Sequence, residues 1–426
     1  MRRGPAVMTP VRAATHGGMP PATWEQGVIR RTCLILALLA AAMAQAQPAE
    51  HGGAITALGK RYEDQPHAHY LAYMLARFNA DAGRDDVALE WLDKLARRGW
   101  ELGINPRDFA GLQASEEFRN IKLRLQRQQQ RRERGQREVL VNIDGQIPEG
   151  LAYDGMRQRY VIGSYNAAQI HTVDPRGKMT RLWSSDEPLI VLGLTVAADG
   201  ETLYAAVNPT ANRRDAGDKS FVLKLNLADG REQARLPAPD AGYLNDLCLL
   251  GDGRLVASDS QESRLLYAKP GATALSLWDE PGHVIAANGV ACDSERNTVY
   301  VAVYNGISRV DAASGQAGLL DAPRSAAIGG IDGLYLQGND LVGVQNGFGA
   351  GRVLRAHLSG DGRSISRVET LESAIVDLNE PTTGALTPNG FVYIANSQIW
   401  KWDETKLRLR EGQRAAPIML RRIPLD

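Results

Sequence analysis

Six short segments of the chain begin with the same pattern, and the first residue of each segment is the one that could carry chemistry. The pattern is a residue that is usually polar, then in most segments Gly, then an apolar pair and a turn. The six first residues are Glu149, Leu192, Asn245, Asn288, Asp332 and Thr383. Four of them carry carboxylate or amide oxygens, the hard ligands that Ca²⁺ prefers, and none is the His or Cys that zinc prefers. The set therefore predicts a divalent-cation site that favours Ca²⁺, with Glu149, Asn245, Asn288 and Asp332 as ligands.

Turn chemistry is the other interpretation of these residues, because Asn and Asp before Gly are common in tight turns. Glu149 fits that interpretation poorly, and so does the agreement in position across four segments. We prefer the metal site and keep the turn as the alternative.

The segments recur roughly every 43 to 53 residues after Val139, in a region of short alternating strands separated by Gly, Asp and Asn turns. Repeats of about 40 to 50 residues with four strands each are typical of propeller blades. Six such starts predict an all-β, six-bladed propeller over residues 139–426, and either Arg137–Ile143 or Pro417–Ile423 supplies the strand that closes the ring. The innermost strand of a blade runs along the central channel, so the six first residues are expected to meet at one channel mouth.

The same residues carry a resemblance to a known family. Pro148-Glu149-Gly150, Leu244-Asn245-Asp246, Asn288-Gly289-Val290 and Ile331-Asp332-Gly333-Leu334 resemble the four motifs of the senescence marker protein (regucalcin)/gluconolactonase family. The resemblance spans residues 139–404 and implies a six-bladed propeller with a divalent cation, usually Ca²⁺, at the channel mouth. It further implies that Glu149, Asn288 and Asp332 are direct ligands and that Asn245 binds the metal or a substrate-bearing water. It makes Asp332 the general base or nucleophile.

Three further residues are candidates for the same site. Family members that open sugar lactones commonly carry Arg two residues before Asn245, where this chain has Tyr243. Tyr243 is therefore predicted to contact the substrate, while recognition of an anionic or sugar hydroxyl face is in question. His283, on the loop before Asn288, is a candidate substrate-binding proton carrier or a solvated loop histidine. Glu380 either reaches the site or caps a loop, and we favour the loop.

The preferred function is that of an exported, metal-dependent hydrolase that opens a lactone or an ester. The cation would polarise a carbonyl or phosphoryl oxygen, and Asp332 would activate water or attack directly. Loops 208–219, 259–264 and 345–352 are expected to shape the substrate pocket. The alternative is a non-catalytic propeller that binds a partner or acts as a scaffold, because a fold does not determine a function.

The N-terminal residues are typical of an export signal. Two arginines, an apolar run over residues 32–44 and an Ala44-x-Ala46 cleavage site predict a leader over residues 1–46. The mature protein is then periplasmic or secreted, and it meets a membrane only during export. Cys248 and Cys292 occupy opposite strand faces at equivalent points of two repeats, so we expect buried free thiols.

Residues 47–138 show a helical pattern instead. Apolar residues at helical spacing between His67 and Arg98, interrupted at Gly83, predict a hairpin that resembles one tetratricopeptide repeat. A single hairpin cannot bury its apolar face alone, so it is expected to dock on the rest of the chain or on a protein partner. A third helix is predicted over Glu116–Arg134, and it leads into a basic linker.

The overall charge argues against nucleic acid as a partner. The chain has 49 basic and 49 acidic residues among 426, whereas a nucleic-acid-binding protein normally has a basic excess. The basic linker is best interpreted as a solvated helix; anionic phospholipid or nucleic acid is the alternative, although no aromatic residue lies among its charges. The 43 Gly residues fit a chain with many tight turns.

Overall fold

The computed structural model describes residues 53, 55–56, 58–60, 62–63, 69–98, 100–143, 145–278, 284–323, 326–403 and 407–425. The predicted leader with its cleavage site and the candidate His283 lie outside these residues. None of the helices within the described ranges is both long enough and apolar enough to cross a membrane.

The helical segment consists of α1 (His69–Asp81), α2 (Asp85–Arg97), a 3-10 helix (Pro106–Leu112) and α3 (Glu116–Gln128). A left-handed turn at Gly83, with φ 69°, connects α1 to α2, and the two helices pack against each other as the apolar spacing predicts. The hairpin is therefore confirmed as a pair of helices, and its resemblance to a tetratricopeptide repeat stays a prediction.

The helical hairpin docks on the rest of the same chain. Its buried side chains form one apolar core with Ala286, Tyr304 and Phe348, which belong to propeller loops. Tyr70 of α1 packs against Tyr304 and Phe348, with ring centroids 5.8 and 5.3 Å apart. The apolar face that cannot be buried within a single hairpin is thus covered by the propeller.

The third helix is shorter than the sequence analysis predicts. The helix α3 ends at Gln128, and Arg132–Glu133 instead form a short strand that pairs with Glu372 and Ser373 of the propeller. Leu125 is the last buried position of the helix, so further helical turns would bury no apolar side chain. Pairing with a free sheet edge satisfies the backbone there instead.

The strands follow one another in regular groups. In chain order they are β1 (Arg132–Glu133), β2 (Gln136–Val141), β3 (Pro148–Asp154), β4 (Arg159–Ser164), β5 (Gln169–Val173), β6 (Met179–Ser184), β7 (Leu189–Val196), β8 (Thr202–Pro209), β9 (Phe221–Asn226), β10 (Glu232–Pro237), β11 (Leu244–Leu249), β12 (Leu255–Asp259), β13 (Arg264–Ala268), β14 (Ser276–Leu277), β15 (Val290–Asp293), β16 (Thr298–Val303), β17 (Gly306–Asp311), β18 (Ala317–Leu319), β19 (Ile331–Gln337), β20 (Asp340–Gln345), β21 (Arg352–Leu358), β22 (Ile365–Ser373), β23 (Gly384–Thr387), β24 (Gly390–Ile394), β25 (Trp402–Asp403), β26 (Arg408–Leu409) and β27 (Ile418–Ile423). A short helix α4 (Ala211–Asp215) follows β8, and a 3-10 turn (Ile399–Lys401) precedes β25.

Six antiparallel sheets form a six-bladed propeller, as the repeats predict. Blades one to five are β3–β6, β7–β10, β11–β14, β15–β18 and β19–β22, and β1 extends the outer edge of blade five. Blade six has the order β2-β27-β24-β23. The innermost strands β3, β7, β11, β15, β19 and β23 contact one another in turn, and β23 contacts β3 to complete the ring.

Both segments proposed for ring closure take part in it. Strand β27, near the C-terminus, pairs with β24, and β2, which precedes blade one, then pairs with β27 as the outermost strand. Strand β2 begins at Gln136, within the segment that the sequence analysis assigns to the linker. Blade six therefore combines strands from both ends of the propeller sequence.

The prediction of free thiols is wrong, because Cys248 and Cys292 form a disulfide with a Cα–Cα distance of 5.6 Å. Cys248 lies on β11 of blade three and Cys292 on β15 of blade four. Within one sheet, side chains on opposite faces point away from each other. However, consecutive blades pack face to face, so side chains on opposite faces of equivalent strands point toward each other across the blade interface.

Candidate active site at the channel mouth

The predicted ring residues meet in one cavity of about 110 Å³ at a mouth of the central channel. The cavity wall includes Glu149, Leu192, Asn245, Asn288 and Asp332, each from a different blade. At blade six the wall is formed by Thr382, whereas the sequence register pointed to its neighbour Thr383. The structure thus brings all four predicted metal ligands to the same place.

Irregularities in the innermost strands aim these side chains at the mouth. The pairing register of β3 shifts between Glu149 and Leu151, and β7, β11 and β19 shift at the equivalent points. Such a bulge places two residues opposite one and changes the direction of a side chain. The shared sequence pattern therefore encodes a bulge at the channel mouth as well as the start of a blade.

The glycines of the pattern allow the inner strands to approach each other closely. A Cβ atom on Gly150 would lie 2.0 Å from the Leu192 carbonyl oxygen, and one on Gly289 would lie 2.4 Å from that of Asp332. No side chain fits at these distances, and Gly150 also has a positive φ of 76°. These glycines keep the channel narrow where the polar side chains converge.

Buried negative charge concentrates at the site. Burial raises the pKa of Asp332 to about 6, although hydrogen bonds from Asn346 and Asn288 oppose the shift. Burial, followed by the Asp332 charge, raises the pKa of Glu149 well above its ordinary value. Burial raises the pKa of Asp246, which stands where other blades have Gly, to about 7. No basic side chain is among the causes of these three shifts, so a bound cation would relieve the repulsion.

The donor set fits a hard cation. Asn245 donates from Nδ2 to Ser260 Oγ at 2.9 Å, which leaves its carbonyl oxygen for a ligand. The Ser260 hydroxyl in turn donates to the Ala287 carbonyl at 2.6 Å, so the amide is held from behind. Within the described ranges no group of three or more His, Cys, Asp or Glu could hold a metal, so any metal here relies on amide oxygens beside the two carboxylates.

Loop 345–352 contributes to the site as predicted, through a residue that the sequence analysis did not single out. Asn346 donates to Asp332 Oδ2 at 2.6 Å and to the Pro381 carbonyl at 2.9 Å. It therefore holds the Asp332 carboxylate against the loop that leads into blade six. The Asn-Gly pair at 346–347 is typical of a turn, and nothing in the local sequence specifies this contact.

Loops 208–219 and 259–264 do not line the cavity, in contrast to the prediction. Both loops instead contact Tyr243, a buried residue that does line the cavity. The Arg214 guanidinium lies 4.8 Å from the centre of the Tyr243 ring, and the Tyr243 amide donates to Asp259 Oδ1 at 3.0 Å. The two loops thus fix the predicted substrate contact from behind.

Glu380 fulfils both roles considered for it. It lines the cavity, and it also accepts a hydrogen bond from the Trp400 amide at 3.3 Å. Its other oxygen pairs with Arg107 of the helical segment at 2.9 Å, and burial raises its pKa to about 7.

The helical segment forms part of the cavity wall. Arg77 of α1, together with Asn105 and Asp108 around the 3-10 helix, lines the same cavity as the ring residues. Asp108 is held by the Tyr73 hydroxyl at 2.7 Å and lies 3.6 Å from Arg77. The helical segment therefore covers the channel mouth, a role that its sequence pattern does not indicate.

Two residues of the wall carry buried hydroxyl groups without a partner. Thr382 Oγ1 and Ser397 Oγ have no hydrogen-bond partner in the part of the chain that the structure describes. Their residues are 4% and 1% exposed, and both line the cavity. Because buried polar groups are nearly always satisfied in native proteins, these hydroxyls favour a polar ligand at the site.

In the presence of a chelator, the protein is expected to lose stability as the pH rises from about 4 to about 7. The folded-state pKa of Asp332 is about 6 and that of Asp246 about 7, both above the ordinary Asp value of 3.8. A raised folded-state pKa stabilises the protein fully below the unfolded pKa, and this contribution is lost as the pH rises through the folded pKa. The shifts are about two pKa units for Asp332 and about three for Asp246, which correspond to roughly 3 and roughly 4 kcal/mol. Urea unfolding across this range with EDTA measures the effect, and a flat or rising free energy of unfolding would contradict it.

No protein-family model and no curated protein matches the chain. Among solved structures, it is similar to a gluconolactonase from Xanthomonas campestris, with 13% sequence identity and a TM-score of 0.43 over 66% of this chain and 87% of the other. It is also similar to luciferin-regenerating enzyme, with 14% identity and a TM-score of 0.45 over 67% and 94% of the two chains. A chain of a nidogen–laminin complex gives 14% identity and a TM-score of 0.41 over 54% and 81%. The identities and TM-scores of these matches are low, and the six-bladed architecture is established by the sheets of the chain itself.

Proposed function

We propose that the protein is an exported hydrolase that opens a lactone or an ester and that depends on a divalent cation, with Ca²⁺ favoured. One observation carries the proposal. Two carboxylates and two amides from four blades line one cavity. Burial raises the pKa of both carboxyl groups, Glu149 and Asp332, and no basic side chain is among the causes of either shift. Burial of charge without compensation is costly, and a cation is the simplest compensation.

Glu149, Asn288 and Asp332 would hold the cation, with Asn245 as a fourth ligand or as the partner of a substrate-bearing water. When bound, the cation supplies a Lewis acid for the carbonyl oxygen of the substrate. Asp332 accepts the proton of the attacking water, or attacks the carbonyl carbon itself. Asn346 orients that carboxylate through the hydrogen bond to Oδ2 at 2.6 Å.

The cavity wall sets the size and polarity of the substrate. A volume of about 110 Å³ is below the roughly 300 Å³ at which small-molecule sites begin, so the site admits a small lactone or the reacting end of a larger ester. The Thr382 and Ser397 hydroxyls provide hydrogen bonds for substrate oxygens, and Tyr243 provides an apolar wall.

Export is supported by two independent features. The predicted leader over residues 1–46 directs the chain to the periplasm or the exterior. The Cys248–Cys292 disulfide is of a kind that persists in oxidising compartments and is rare in the cytosol.

A non-catalytic binding protein is the second candidate, in a narrower form than the sequence suggested. The apolar face of the helical hairpin is packed on Ala286, Tyr304 and Phe348 of the same chain, so it does not offer a free docking face for a partner. The helical cover over the channel mouth favours this candidate, because a covered cation could be purely structural.

Thermal unfolding and turnover of the purified mature protein separate the two candidates. We expect Ca²⁺ to raise the melting temperature after chelator treatment, and we expect turnover of small lactones or aryl esters to stop in chelator and return with Ca²⁺. Stabilisation without turnover on any substrate would support the binding protein. Absence of both responses would contradict the cation site.

A further inference from the structure

A second cavity, of about 580 Å³, lies between the helical segment and blade five. It shares no lining residue with the channel-mouth cavity among the residues described. Its walls include Arg98 and residues 100–102 after α2, β1 and its flanks, strands β21 and β22, and residues of the segment that leads into β19. The volume is within the range of about 300 to 1,000 Å³ that small-molecule sites occupy.

The described wall of this cleft is rich in arginine. Five arginines line it, and the acidic residues in the wall are Glu101 and Glu369; the arginines are Arg98, Arg132, Arg134, Arg352 and Arg367. A concave surface with an excess of one charge concentrates ligands of the opposite charge. The excess therefore points to an anion.

Arg352 is the buried member of this group, at 8% exposure. Its guanidinium donates to Gln345 Oε1 at 2.7 Å, to Thr370 Oγ1 at 2.8 Å and to the Ala327 carbonyl at 2.6 Å, which are all neutral acceptors. It forms no ion pair with a carboxylate in the described part of the chain, and burial lowers its pKa to about 10. The Glu101 charge opposes this shift but forms no direct ion pair with Arg352, so a bound anion would supply a partner in direct contact with the buried guanidinium.

Arg132 and Arg367 bring two more guanidinium groups from separate strands. Arg132 on β1 donates to Gln130, and Arg367 on β22 contacts His357 at 2.9 Å. Neither forms an ion pair with a carboxylate among the described residues, whereas Arg134 is paired with Glu369. Three guanidinium groups without carboxylate partners thus converge on the cleft from β1, β21 and β22.

We propose that this cleft binds a small anion with two or more negative charges, carried on carboxylate or phosphate groups. Guanidinium groups form paired hydrogen bonds with both kinds of oxyanion, so the wall offers matching chemistry for either. The anion would bind where β1, which follows the helical segment, joins β22 and β21 of blade five, and so would stabilise the docked arrangement. A concave cleft accommodates a small soluble ligand, whereas the flat surface of an anionic membrane does not enter it.

The full mature chain is tested by titration calorimetry and thermal unfolding with inorganic phosphate and, separately, with tricarballylate, against NaCl at equal ionic strength. We expect saturable binding and a higher melting temperature with at least one of the two probes. Arg132→Gln combined with Arg367→Gln should weaken binding by about ten-fold or more, because each loses a charged hydrogen bond and both are exposed enough to leave folding intact. Arg231→Gln, an exposed arginine on blade two, is the matched control and should leave binding unchanged.

Three results would overturn the proposal. One is the absence of stabilisation beyond NaCl at about 10 mM of either probe. Another is an equal loss of binding in the Arg231→Gln control. The third is sedimentation with phosphatidylglycerol vesicles, but not with phosphatidylcholine vesicles, by a protein that binds neither soluble probe, which would assign the arginines to a membrane surface.

Discussion

The Asp332→Asn variant is expected to lose catalytic turnover by about 10²- to 10⁴-fold, the usual contribution of a general base. Asp332 is partly buried, is oriented by Asn346 at 2.6 Å and lies in the cavity with Glu149 and Asn288. The substitution keeps the shape of the side chain but removes both the proton acceptor and one negative charge. Comparison of kcat at saturating Ca²⁺ measures the first effect, and calcium titration by calorimetry measures the second.

The Asp332→Asn variant also provides a second measurement, the melting temperature, which would not respond in this way if Asp332 had only a structural role. Because burial raises the Asp332 pKa to about 6, neutralising this side chain should raise the melting temperature of the chelated protein at neutral pH while it lowers turnover. Asp229→Asn, at an exposed turn of blade two, is the matched control and should change neither quantity. Retained turnover in Asp332→Asn would remove Asp332 from the proposed chemistry.

The Arg421→Met variant is expected to lose about 3 to 5 kcal/mol of unfolding free energy, because it leaves buried carboxylates without their partner. Arg421 on β27 is 2% exposed, and its side chain pairs with Glu372 of blade five at 2.8 Å and with Asp377 at 2.5 Å. It also donates to the Gly135 carbonyl at 2.9 Å, just before β2. One guanidinium thus ties the closing blade to blade five and to the strand that completes the ring. Urea unfolding monitored by tryptophan fluorescence measures the loss.

Two further variants make the interpretation specific. Arg421→Met combined with Glu372→Gln should recover a large part of the loss, because the fully buried carboxylate is then neutral. Arg422→Met, at the next position, breaks a pair with Glu138 in which both side chains are about one quarter exposed, and it should cost less than about 1 kcal/mol. Equal losses of unfolding free energy in Arg421→Met and Arg422→Met would show that the buried network around Arg421 stabilises the closed ring no more than the Arg422–Glu138 pair does.

The six-bladed architecture could be predicted from the sequence because each blade is a local unit. A meander of neighbouring strands repeats its turns and its apolar spacing at a regular interval, and the first residue of each repeat takes the same place in every blade. The repeat register alone therefore predicts that Glu149, Asn245, Asn288 and Asp332 lie together, as they do in the cavity. The helices α1 and α2 followed from local periodicity in the same way.

Contacts between units depended on the tertiary structure. The face-to-face packing of blades three and four pairs Cys248 with Cys292, although their strand faces argue against it within one sheet. The closing strand β2 draws on an edge far away in sequence, and β1 ends the helical region early for the same reason.

The number of blades, the ring of oxygen donors and the helical hairpin can all be predicted from the order of the residues. The cover that Arg77 and Asp108 of the helical segment form over the channel mouth, and the hydrogen bond from Asn346 to Asp332, are visible only in the folded chain. The spacing of apolar residues predicts which face of its own helix or strand a residue occupies. The element that packs against that face comes from a distant part of the chain, so local spacing does not predict it.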